Sequence, residues 1–292
     1  MKKIAVITGA SSGIGREFAK QVVENYAQKN KYDEIWLIAR REDKLKENAE
    51  LLTKEAKDFE GLIRPIAMDI CGKEGAERFR DFINSQAKEC EDNKASTTGG
   101  LEIGLLINNA GFGTYGPFEE TSINRQLQMI DLNCTSLTGI CGYALPYIKE
   151  NSVIINTASL AAFLPLGNFA VYAATKAYVL SFTLALAAEL KDKGIKVCAL
   201  CPGSVSSEFA NVASNGARKE VKGGFPPQKV VSQCLKRAFK GKTTALYRPK
   251  WRFTAFMSRF VGRNLGARYT FKYNKRPRSP DADSPAALAK KE

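Results

Sequence analysis

The sequence of 292 residues contains no histidine. A Ser-His-Asp hydrolase, a Cys-His protease and any zinc site with histidine ligands are therefore excluded. Acid–base chemistry near neutral pH must use a tyrosine, lysine, cysteine or carboxyl group whose pKa the protein shifts. Cys198 and Cys201 form a CxxC pair, but they lie in an apolar run that favours two buried thiols. We therefore expect no metal site.

Long apolar runs are also missing. The longest, such as 179–188, are broken by polar residues and are shorter than the roughly eighteen residues that a membrane span needs. The basic start of the chain is followed by an apolar stretch of only 4–7, which is too short for a signal peptide. The seven cysteines lack the dense spacing of a secreted disulfide scaffold. These features predict a cytoplasmic protein.

Apolar β-branched runs alternate with helical periodicity along most of the chain. Strands are predicted at 3–8, 34–39, 62–68, 101–108, 153–157 and 196–200, and helices at 13–25, 42–56 and 74–87. Such alternation is typical of parallel strands with right-handed crossovers. The predicted fold class is therefore α/β, a Rossmann-type doubly wound parallel sheet with helices on both faces and a C-terminal helical extension.

The positive charge is concentrated at the C-terminal end. From Arg248 onward there are twelve Lys/Arg and three Asp/Glu, whereas the whole chain carries +14. We divide the chain into a Rossmann-type catalytic domain at 1–247, a basic aromatic extension at 248–274 and a disordered tail at 275–292, rich in Pro, Ser, Ala and charge. The polar stretch 89–100 is predicted to be a surface insertion.

The extension carries apolar residues at helical spacing, with arginines away from the stripe. The stripe consists of Phe253, Phe256, Met257, Phe260, Val261 and Leu265. It can serve as a lid over a cleft, as a surface on an anionic membrane, or as a helix packed within the protein or on another subunit. Packing within the protein or on another subunit is favoured. We also expect a homo-oligomer, either a dimer or a tetramer. Peripheral membrane contact through the extension is the alternative use of the stripe. Nucleic-acid binding is not expected, because no base-reading module is visible.

A glycine loop joins the first strand to the first helix: Thr8-Gly9-Ala10-Ser11-Ser12-Gly13-Ile14-Gly15. Gly9 permits a tight turn, Gly13 lets backbone N–H groups approach a pyrophosphate, and Gly15 lets helix and strand pack closely. The helix N-terminus adds a partial positive charge. This pattern predicts a dinucleotide site.

The second predicted strand ends in Ala39-Arg40-Arg41, where a fold that prefers NAD usually has an acidic residue. A guanidinium there would pair with a 2′-phosphate. The alternative, a solvated helix start, is disfavoured because two cations oppose the helix dipole. The predicted cofactor is NADP(H).

Five motifs in this order resemble the short-chain dehydrogenase/reductase family over 3–209: the glycine loop, NNAG at Asn108 to Gly111, Ser159, Tyr172-x-x-x-Lys176 and Pro202-Gly203. The resemblance implies four catalytic residues: Asn133, Ser159, Tyr172 and Lys176. It also implies a cofactor site of Gly9, Ser11, Ser12, Gly13, Ile14, Gly15, Arg40, Arg41, Asp69, Ile70, Asn108, Asn109, Ala110, Gly111, Tyr172, Lys176, Pro202, Gly203, Val205 and Ser207. Two positions depart from the family pattern. Ser12 stands where NADP-dependent members often have a basic residue, so the phosphate contact is expected from Arg40 first and from Arg41 in addition. Ser207 stands where Thr is usual and is expected to keep the hydrogen bond.

Tyr172 and Lys176 are four residues apart, so on a helix they share one face. Taken alone, this spacing is typical of any amphipathic helix, but beside the glycine loop and Ser159 it favours catalysis. A nearby ammonium is expected to lower the pKa of the phenol, and Ser159 to hold the substrate oxygen. By the resemblance, Lys176 also binds the nicotinamide ribose and Asn133 holds a water that connects Lys176 to solvent.

Bulky apolar residues follow the predicted strands, at the edge where open parallel sheets bind ligands. The predicted substrate pocket consists of Phe112, Phe163, Leu164, Phe169 and Phe209, although such side chains also fit a core. No Lys or Arg lies between Leu160 and Tyr172, so a small anionic substrate is not expected. The sequence predicts an apolar ketone or alcohol of steroid, lipid or acyl type. The alternatives are a non-catalytic NADP-binding sensor or scaffold, and a membrane-surface protein acting through its basic segment.

Overall fold

The structure is a computed structural model and describes residues 1–56, 58–92, 100–219 and 223–289. Seven strands form one sheet in the order β3-β2-β1-β4-β5-β6-β7, and every pair is parallel. The strands are β1 (Lys2–Thr8), β2 (Glu34–Ala39), β3 (Leu62–Ala67), β4 (Leu101–Asn108), β5 (Val153–Thr157), β6 (Lys196–Leu200) and β7 (Thr244–Ala245). The predicted doubly wound parallel sheet is confirmed. The two-residue β7 is too short to show a pattern in the sequence.

Twelve α-helices connect and cover the described strands. They are α1 (Gly13–Val22), α2 (Gln28–Asn30), α3 (Glu42–Glu55), α4 (Gly72–Asp92), α5 (Ile123–Ile130), α6 (Leu137–Ala144), α7 (Ala170–Glu189), α8 (Phe209–Ala213), α9 (Pro227–Phe239), α10 (Pro249–Met257), α11 (Arg263–Tyr273) and α12 (Pro285–Leu288). Helices α1, α3 and α9 pack on one face of the sheet, and α4, α6 and α7 on the other.

The central strands are apolar without alternation because both of their faces are covered. In β1, Ala5 and Ile7 point into the layer of α1, while Ile4 and Val6 point into the layer of α4. All eight residues of β4 are buried. The sheet is therefore a rigid support for the loops at its edge.

One helix of the described residues, α7, is long and apolar enough to cross a membrane. It packs on β5 and β6, and its Val179 and Leu186 belong to the core. Its apolar character is thus used in packing against the sheet.

Two helices differ from the predicted bounds. The first continues from α1 through a π-helical turn, Val23–Ala27, into α2. Helix α4 runs to Asp92, so the start of the predicted surface insertion is helical, because a solvent-facing turn needs no apolar residues. The rest of that insertion, 93–99, lies outside the described residues.

The disordered tail predicted from Lys275 differs from the structure. Arg278 forms an ion pair with Asp281, and Asp281 also accepts hydrogen bonds from the backbone N–H of Ser122 (2.7 Å) and from Asn215 Nδ2 (3.1 Å). Composition suggests disorder here because these contacts are polar and join distant parts of the chain. The segment is held against the body beside α5.

The single apolar stripe expected over 251–265 is divided between α10 and α11. Trp251 and Ala255 point inward, whereas Phe253, Phe260 and Leu265 are 65%, 69% and 68% exposed. These three side chains of the stripe therefore do not pack within the chain, whereas packing of the stripe on another subunit stays a prediction. The reason is that Trp251, outside the stripe, takes the inward position by packing against Gly203, where an added β-carbon would lie 2.5 Å from its ring.

Candidate active site

The expected site residues gather at the carboxyl ends of β1, β4, β5 and β6. In the order of the sheet, β1 lies between β2 and β4, so the chain leaves β1 and β4 toward opposite sides. Such a switch point opens a crevice at the strand ends, which is where open α/β sheets bind ligands. The residues expected to bind the cofactor and those expected to act in catalysis both face this crevice.

The glycine loop has the geometry of a phosphate cradle. Gly9 and Gly13 have φ values of 67° and 54°, which favour glycine. A β-carbon at Gly15 would collide with the carbonyl oxygen of Gly9, so α1 approaches the loop as closely as only glycine allows. Across the described ranges, no hydrogen bond is made by the N–H of Gly13 or Ile14, and the Ser12 side chain does not cap α1. These donors fit an anionic pyrophosphate.

The NNAG segment holds this loop in place. Asn109 Nδ2 donates to the carbonyl oxygens of Thr8 (3.3 Å) and Gly9 (3.4 Å), and Thr8 Oγ1 accepts from the N–H groups of Asn109 (3.0 Å) and Ala110 (3.1 Å). Asn108 instead points into the core, where its Nδ2 donates to Asn156 Oδ1 (3.0 Å). Its side chain therefore links β4 to β5 below the crevice.

Of the two arginines after β2, Arg41 reaches the glycine loop. Its Nη2 donates to Ser12 Oγ (2.8 Å) and Ser11 Oγ (3.0 Å), while Arg40 is exposed. Glu208 pairs with both Arg41 Nη1 (2.8 Å) and Lys44 Nζ (2.9 Å). The hydrogen bond from Lys44 is the main cause that lowers the pKa of Glu208 to about 2. The Glu208 carboxylate thus occupies a site formed by Arg41, Lys44 and Ser12, which we call the cationic niche.

Sequence reasoning missed Lys44 and Glu208. Lys44 follows Arg41 by three residues at the start of α3, so helical spacing could have paired the two cations. Glu208 comes from the loop after β6, and no local signal connects it to Arg41.

Asp69 and Ile70 follow β3 at the same edge of the sheet. Asp69 Oδ1 accepts a hydrogen bond from the N–H of Cys71 (3.0 Å), and its side chain is exposed. Ile70 is buried and packs below the start of α4. Asp69 is therefore open to solvent, whereas Ile70 supports the loop.

Tyr172 and Lys176 lie one turn apart on α7 and are 7% and 5% exposed. Lys176 Nζ donates to the carbonyl oxygen of Thr157 (2.7 Å) at the end of β5 and lies 5.8 Å from the centre of the Tyr172 ring. Ser159 Oγ accepts from the N–H of Ala161 (3.1 Å) and donates to the carbonyl oxygen of Pro202 (3.4 Å), and it lies close enough to Tyr172 to influence its pKa. The structure thus brings these three side chains together.

Burial dominates the titration of this group. It raises the pKa of Tyr172 to about 12, against the smaller opposing effect of the Ser159 hydrogen bond. It also lowers the pKa of Lys176 to about 8. The predicted net fall in the pKa of Tyr172 is therefore wrong for this arrangement, because burial raises that pKa in spite of the nearby ammonium, which is bonded to Thr157.

Asn133 lies in a π-helical turn, Asp131–Ser136, between α5 and α6. Such turns occur often at functional sites. Its Nδ2 donates to the carbonyl of Phe112 (2.9 Å) and to Thr175 Oγ1 (3.0 Å). A β-carbon on Gly111 would lie 2.7 Å from Asn133 Oδ1 and 3.4 Å from Lys176 Nζ. Asn133 and Lys176 therefore meet beside Gly111.

The loop after β6 closes the other side of the crevice. The carbonyl of Pro202 accepts from the N–H of Leu160 (2.8 Å), and Val205 pairs with Phe225. A β-carbon on Gly13 would lie 3.1 Å from the β-carbon of Ser207. Ser207 is therefore placed at the phosphate cradle.

Three of the five predicted pocket residues surround Tyr172. The Phe169 ring stacks on the Tyr172 ring at 4.2 Å, the Phe209 ring lies 5.3 Å from it, and Phe112 packs against the same cluster. Phe163 packs instead in the core layer of α4, and Leu164 faces Gly266 of α11. The cluster also contains Tyr115 and Met129, which the predicted pocket omitted.

A cation from the C-terminal segment reaches the same cluster. The guanidinium carbon of Arg276 lies 5.0 Å from the ring centre of Tyr115 and 4.9 Å from that of Phe169. Because Arg276 follows Tyr172 by more than a hundred residues, no local pattern could place it here. The aromatic cluster therefore has a cation beside it, although no Lys or Arg lies between Leu160 and Tyr172 in the sequence.

No group of three or more Cys, Asp or Glu side chains in the described part of the chain could hold a metal ion. Cys198 and Cys201 are both buried in or directly after β6.

Comparison with known proteins agrees with this geometry. The very-long-chain 3-oxoacyl-CoA reductase of Rattus norvegicus is 31% identical over 214 residues, which cover 71% of this chain and 61% of that protein. A short-chain dehydrogenase from Sphingobium yanoikuyae in complex with NADPH is similar with a TM-score of 0.70 at 24% identity, over 89% of this chain and 94% of that one.

A short-chain dehydrogenase/reductase from Burkholderia phymatum in complex with NAD has a TM-score of 0.69 at 20% identity, over 96% of this chain and 98% of that one. These two structures share the fold. The short chain dehydrogenase family itself matches residues 3–217, which is well over half of the chain. The protein therefore belongs to the short-chain dehydrogenase family, and it is an oxidoreductase that acts on alcohol and carbonyl groups.

Proposed function

We propose that the protein is an NADP(H)-dependent oxidoreductase that interconverts an apolar ketone or aldehyde with its alcohol, using Tyr172 as general acid and base. The observation that carries this proposal is the buried group of Ser159, Tyr172 and Lys176 beside a glycine cradle. A protein that only senses or binds the cofactor has no need to bury these three polar side chains together.

The nicotinamide ring, when bound, supplies or accepts the hydride. Ser159 and Tyr172 donate hydrogen bonds to the carbonyl oxygen and stabilise the charge that develops on it. Tyr172, with a pKa of about 12, is protonated at neutral pH and gives its proton to that oxygen. Lys176, with a pKa of about 8, is mostly charged at pH 7 and can stabilise the resulting phenolate.

The return of the proton to Tyr172 would proceed through Lys176. Its ammonium lies beside Asn133, whose hydrogen bonds to Phe112 and Thr175 hold it in the π-helical turn. We propose that Asn133 positions a water there and connects Lys176 to solvent.

The choice of NADP(H) rests on the niche of Arg41, Lys44 and Ser12. Two cations and a hydroxyl group match a 2′-phosphate, which carries more charge than the Glu208 carboxylate now paired with them. Phosphate binding would displace Glu208. We assign Arg41, with Lys44, as the main contact and give Arg40 a secondary role.

The rings of Phe112, Phe169 and Phe209 around Tyr172 favour an apolar substrate of steroid, lipid or acyl type. The Phe169 ring stacks directly on Tyr172, so the two rings form one apolar wall that favours a ligand with an apolar body.

A first prediction concerns Tyr172. Tyr172→Phe removes the proton donor and is expected to lower kcat for NADPH oxidation at least a hundredfold across panels of steroid, acyl and aldehyde carbonyl compounds. Binding of NADPH, followed by its fluorescence, should change little. Tyr178→Phe is the matched control, since that tyrosine is 44% exposed on the same helix. Equal turnover in Tyr172→Phe and the wild type would exclude the mechanism.

A second prediction concerns the cationic niche. Arg41→Ala is expected to weaken NADPH binding at least tenfold while changing NADH binding little, because only NADPH carries the 2′-phosphate. Glu208→Gln removes the competing charge and should tighten NADPH binding. Both are measured as Kd by titration calorimetry, with Arg40→Ala as the comparison. A similar loss for NADPH and NADH in Arg41→Ala would remove this residue from the phosphate site.

A second function is supported by the surface of α10 and α11. Seven large side chains of these helices and the turn between them are more than half exposed: Phe253, Phe256, Phe260, Leu265, Tyr269, Phe271 and Tyr273. Six cations are interspersed in sequence: Lys250, Arg252, Arg259, Arg263, Arg268 and Lys272. Between Glu220 and Asp281 the sequence has no acidic residue.

We propose that this aromatic and cationic surface contacts an anionic membrane. Aromatic rings enter the interface of a bilayer, and the cations pair with anionic headgroups. A second copy of the same surface would meet like charges, so a self-complementary dimer through it is disfavoured. The expected homo-oligomer would use another surface.

A third prediction tests this contact. The protein should co-sediment with phosphatidylglycerol vesicles at low salt and not with phosphatidylcholine vesicles, and the double variant Phe253→Ser/Phe260→Ser should lose most of this binding. Leu51→Ser/Leu62→Ser, which alters exposed apolar residues elsewhere, is the control. If the first double variant instead dissociates an oligomer and leaves vesicle binding unchanged, the surface is an interface between copies.

A further inference from the structure

Arg276 gives the aromatic cluster at Tyr172 a positive charge that the mechanism does not use. We propose that Arg276 binds an anionic group of the substrate, a carboxylate or a phosphate, so that the substrate is an apolar carbonyl or alcohol compound with a negatively charged end. This inference rests on the proposed function, because it names the substrate class of the same site.

The first support is position. The Arg276 guanidinium lies over the rings of Tyr115 and Phe169, at 5.0 and 4.9 Å, and Phe169 in turn stacks on Tyr172 at 4.2 Å. A single aromatic ring therefore separates this cation from the ring of the proton donor. A ligand that separates Phe169 from Tyr172 would come within reach of both Tyr172 and the Arg276 guanidinium.

The second support is the charge around Arg276. None of the ion pairs in 1–56, 58–92, 100–219 and 223–289 includes Arg276. Burial and the charge of Arg218 both lower its pKa. Aromatic faces attract a guanidinium but do not accept its five N–H donors in the way that an anion does. A carboxylate or phosphate would supply both the opposite charge and the acceptors.

Anchoring of the C-terminal segment does not account for Arg276. That segment is already held by Arg278, which pairs with Asp281 and donates to the carbonyl of Glu120 (2.9 Å). Asp281 also receives the Ser122 and Asn215 hydrogen bonds. Arg276, two residues before Arg278, points toward the aromatic cluster and not toward these contacts of Asp281.

The phosphates of the cofactor are also an unsuitable partner. The proposed phosphate cradle and the Arg41 niche lie at the glycine loop, whereas the Arg276 guanidinium lies over two rings of the Tyr172 cluster. The anion in question must then belong to the molecule that reacts at Tyr172. Its carbonyl would lie at Ser159 and Tyr172 and its charge several bonds away, at Arg276.

This inference extends the expectation of an apolar substrate. The absence of Lys and Arg between Leu160 and Tyr172 speaks only against a small anionic substrate, and Arg276, which the fold brings to the aromatic cluster, would bind the charged end of a larger apolar one. The apolar character of the pocket remains, so the substrate class is amphiphilic.

The test uses the full-length protein loaded with NADP⁺, to which ketones can bind without being reduced. Calorimetry compares oxo acids with their methyl esters, in pairs such as 4-oxo-4-phenylbutanoate, 5-oxodecanoate and 12-oxooctadecanoate. The wild type is expected to bind the acid of at least one pair ten times or more tighter than its ester. Arg276→Gln should bring that ratio close to one, and Arg276→Lys should retain part of it.

Arg80→Gln, which removes a partly buried arginine on α4, is the matched control and should keep the wild-type ratio. Absence of a preference for the acid in every pair, or an unchanged ratio in Arg276→Gln, would overturn the proposal. Failure of the proposed function looks different: oxo acids would bind in an Arg276-dependent way while no carbonyl compound supports NADPH oxidation. If neutral ketones are turned over and Arg276→Gln raises KM for none of the acids, only the anion site is wrong.

Discussion

The buried ammonium of Lys176 is the constraint on which the site depends. A charged amine inside a protein needs acceptors, and Lys176 has one in the carbonyl of Thr157 at the end of β5. This bond fixes α7 over the edge of the sheet and thereby sets Tyr172 beside Ser159. The same burial that lowers the pKa of Lys176 to about 8 raises that of Tyr172 to about 12. In this arrangement the tyrosine is a proton donor at neutral pH, and the lysine is the group near titration.

The two halves of the site are built by different means. The phosphate cradle depends on close backbone approach, with Gly9, Gly13 and Gly15 held by Thr8 and Asn109. The substrate half depends on aromatic rings from three separate segments, around Phe112, Phe169 and Phe209, and on a C-terminal segment held through Asp281. One half is therefore fixed by the core, whereas the other can rearrange when a ligand separates Phe169 from Tyr172.

Six of the seven strands could be predicted because each contains a mainly apolar, β-branched run, whereas β7 is too short to show one. The glycine loop and the Tyr172–Lys176 pair were visible because their spacing is local. Arg276, Glu208 and the inward Asn108 could not be found in this way, since each owes its position to contacts across the fold. The pKa of Tyr172 was misjudged for a related reason: sequence spacing shows that a lysine is near, but it does not show how much water the fold removes.

In the proposed reaction Tyr172 gives the proton, and Lys176, while it is charged, stabilises the phenolate that results. The most direct test is the pH dependence of kcat for carbonyl reduction, in the wild type and in Lys176→Met. The account predicts a rate that is constant below about pH 8 and falls above it as Lys176 loses its proton, and a much lower rate without that transition in Lys176→Met. A rate that stays constant to pH 10, or a Lys176→Met variant with the wild-type profile, would contradict it.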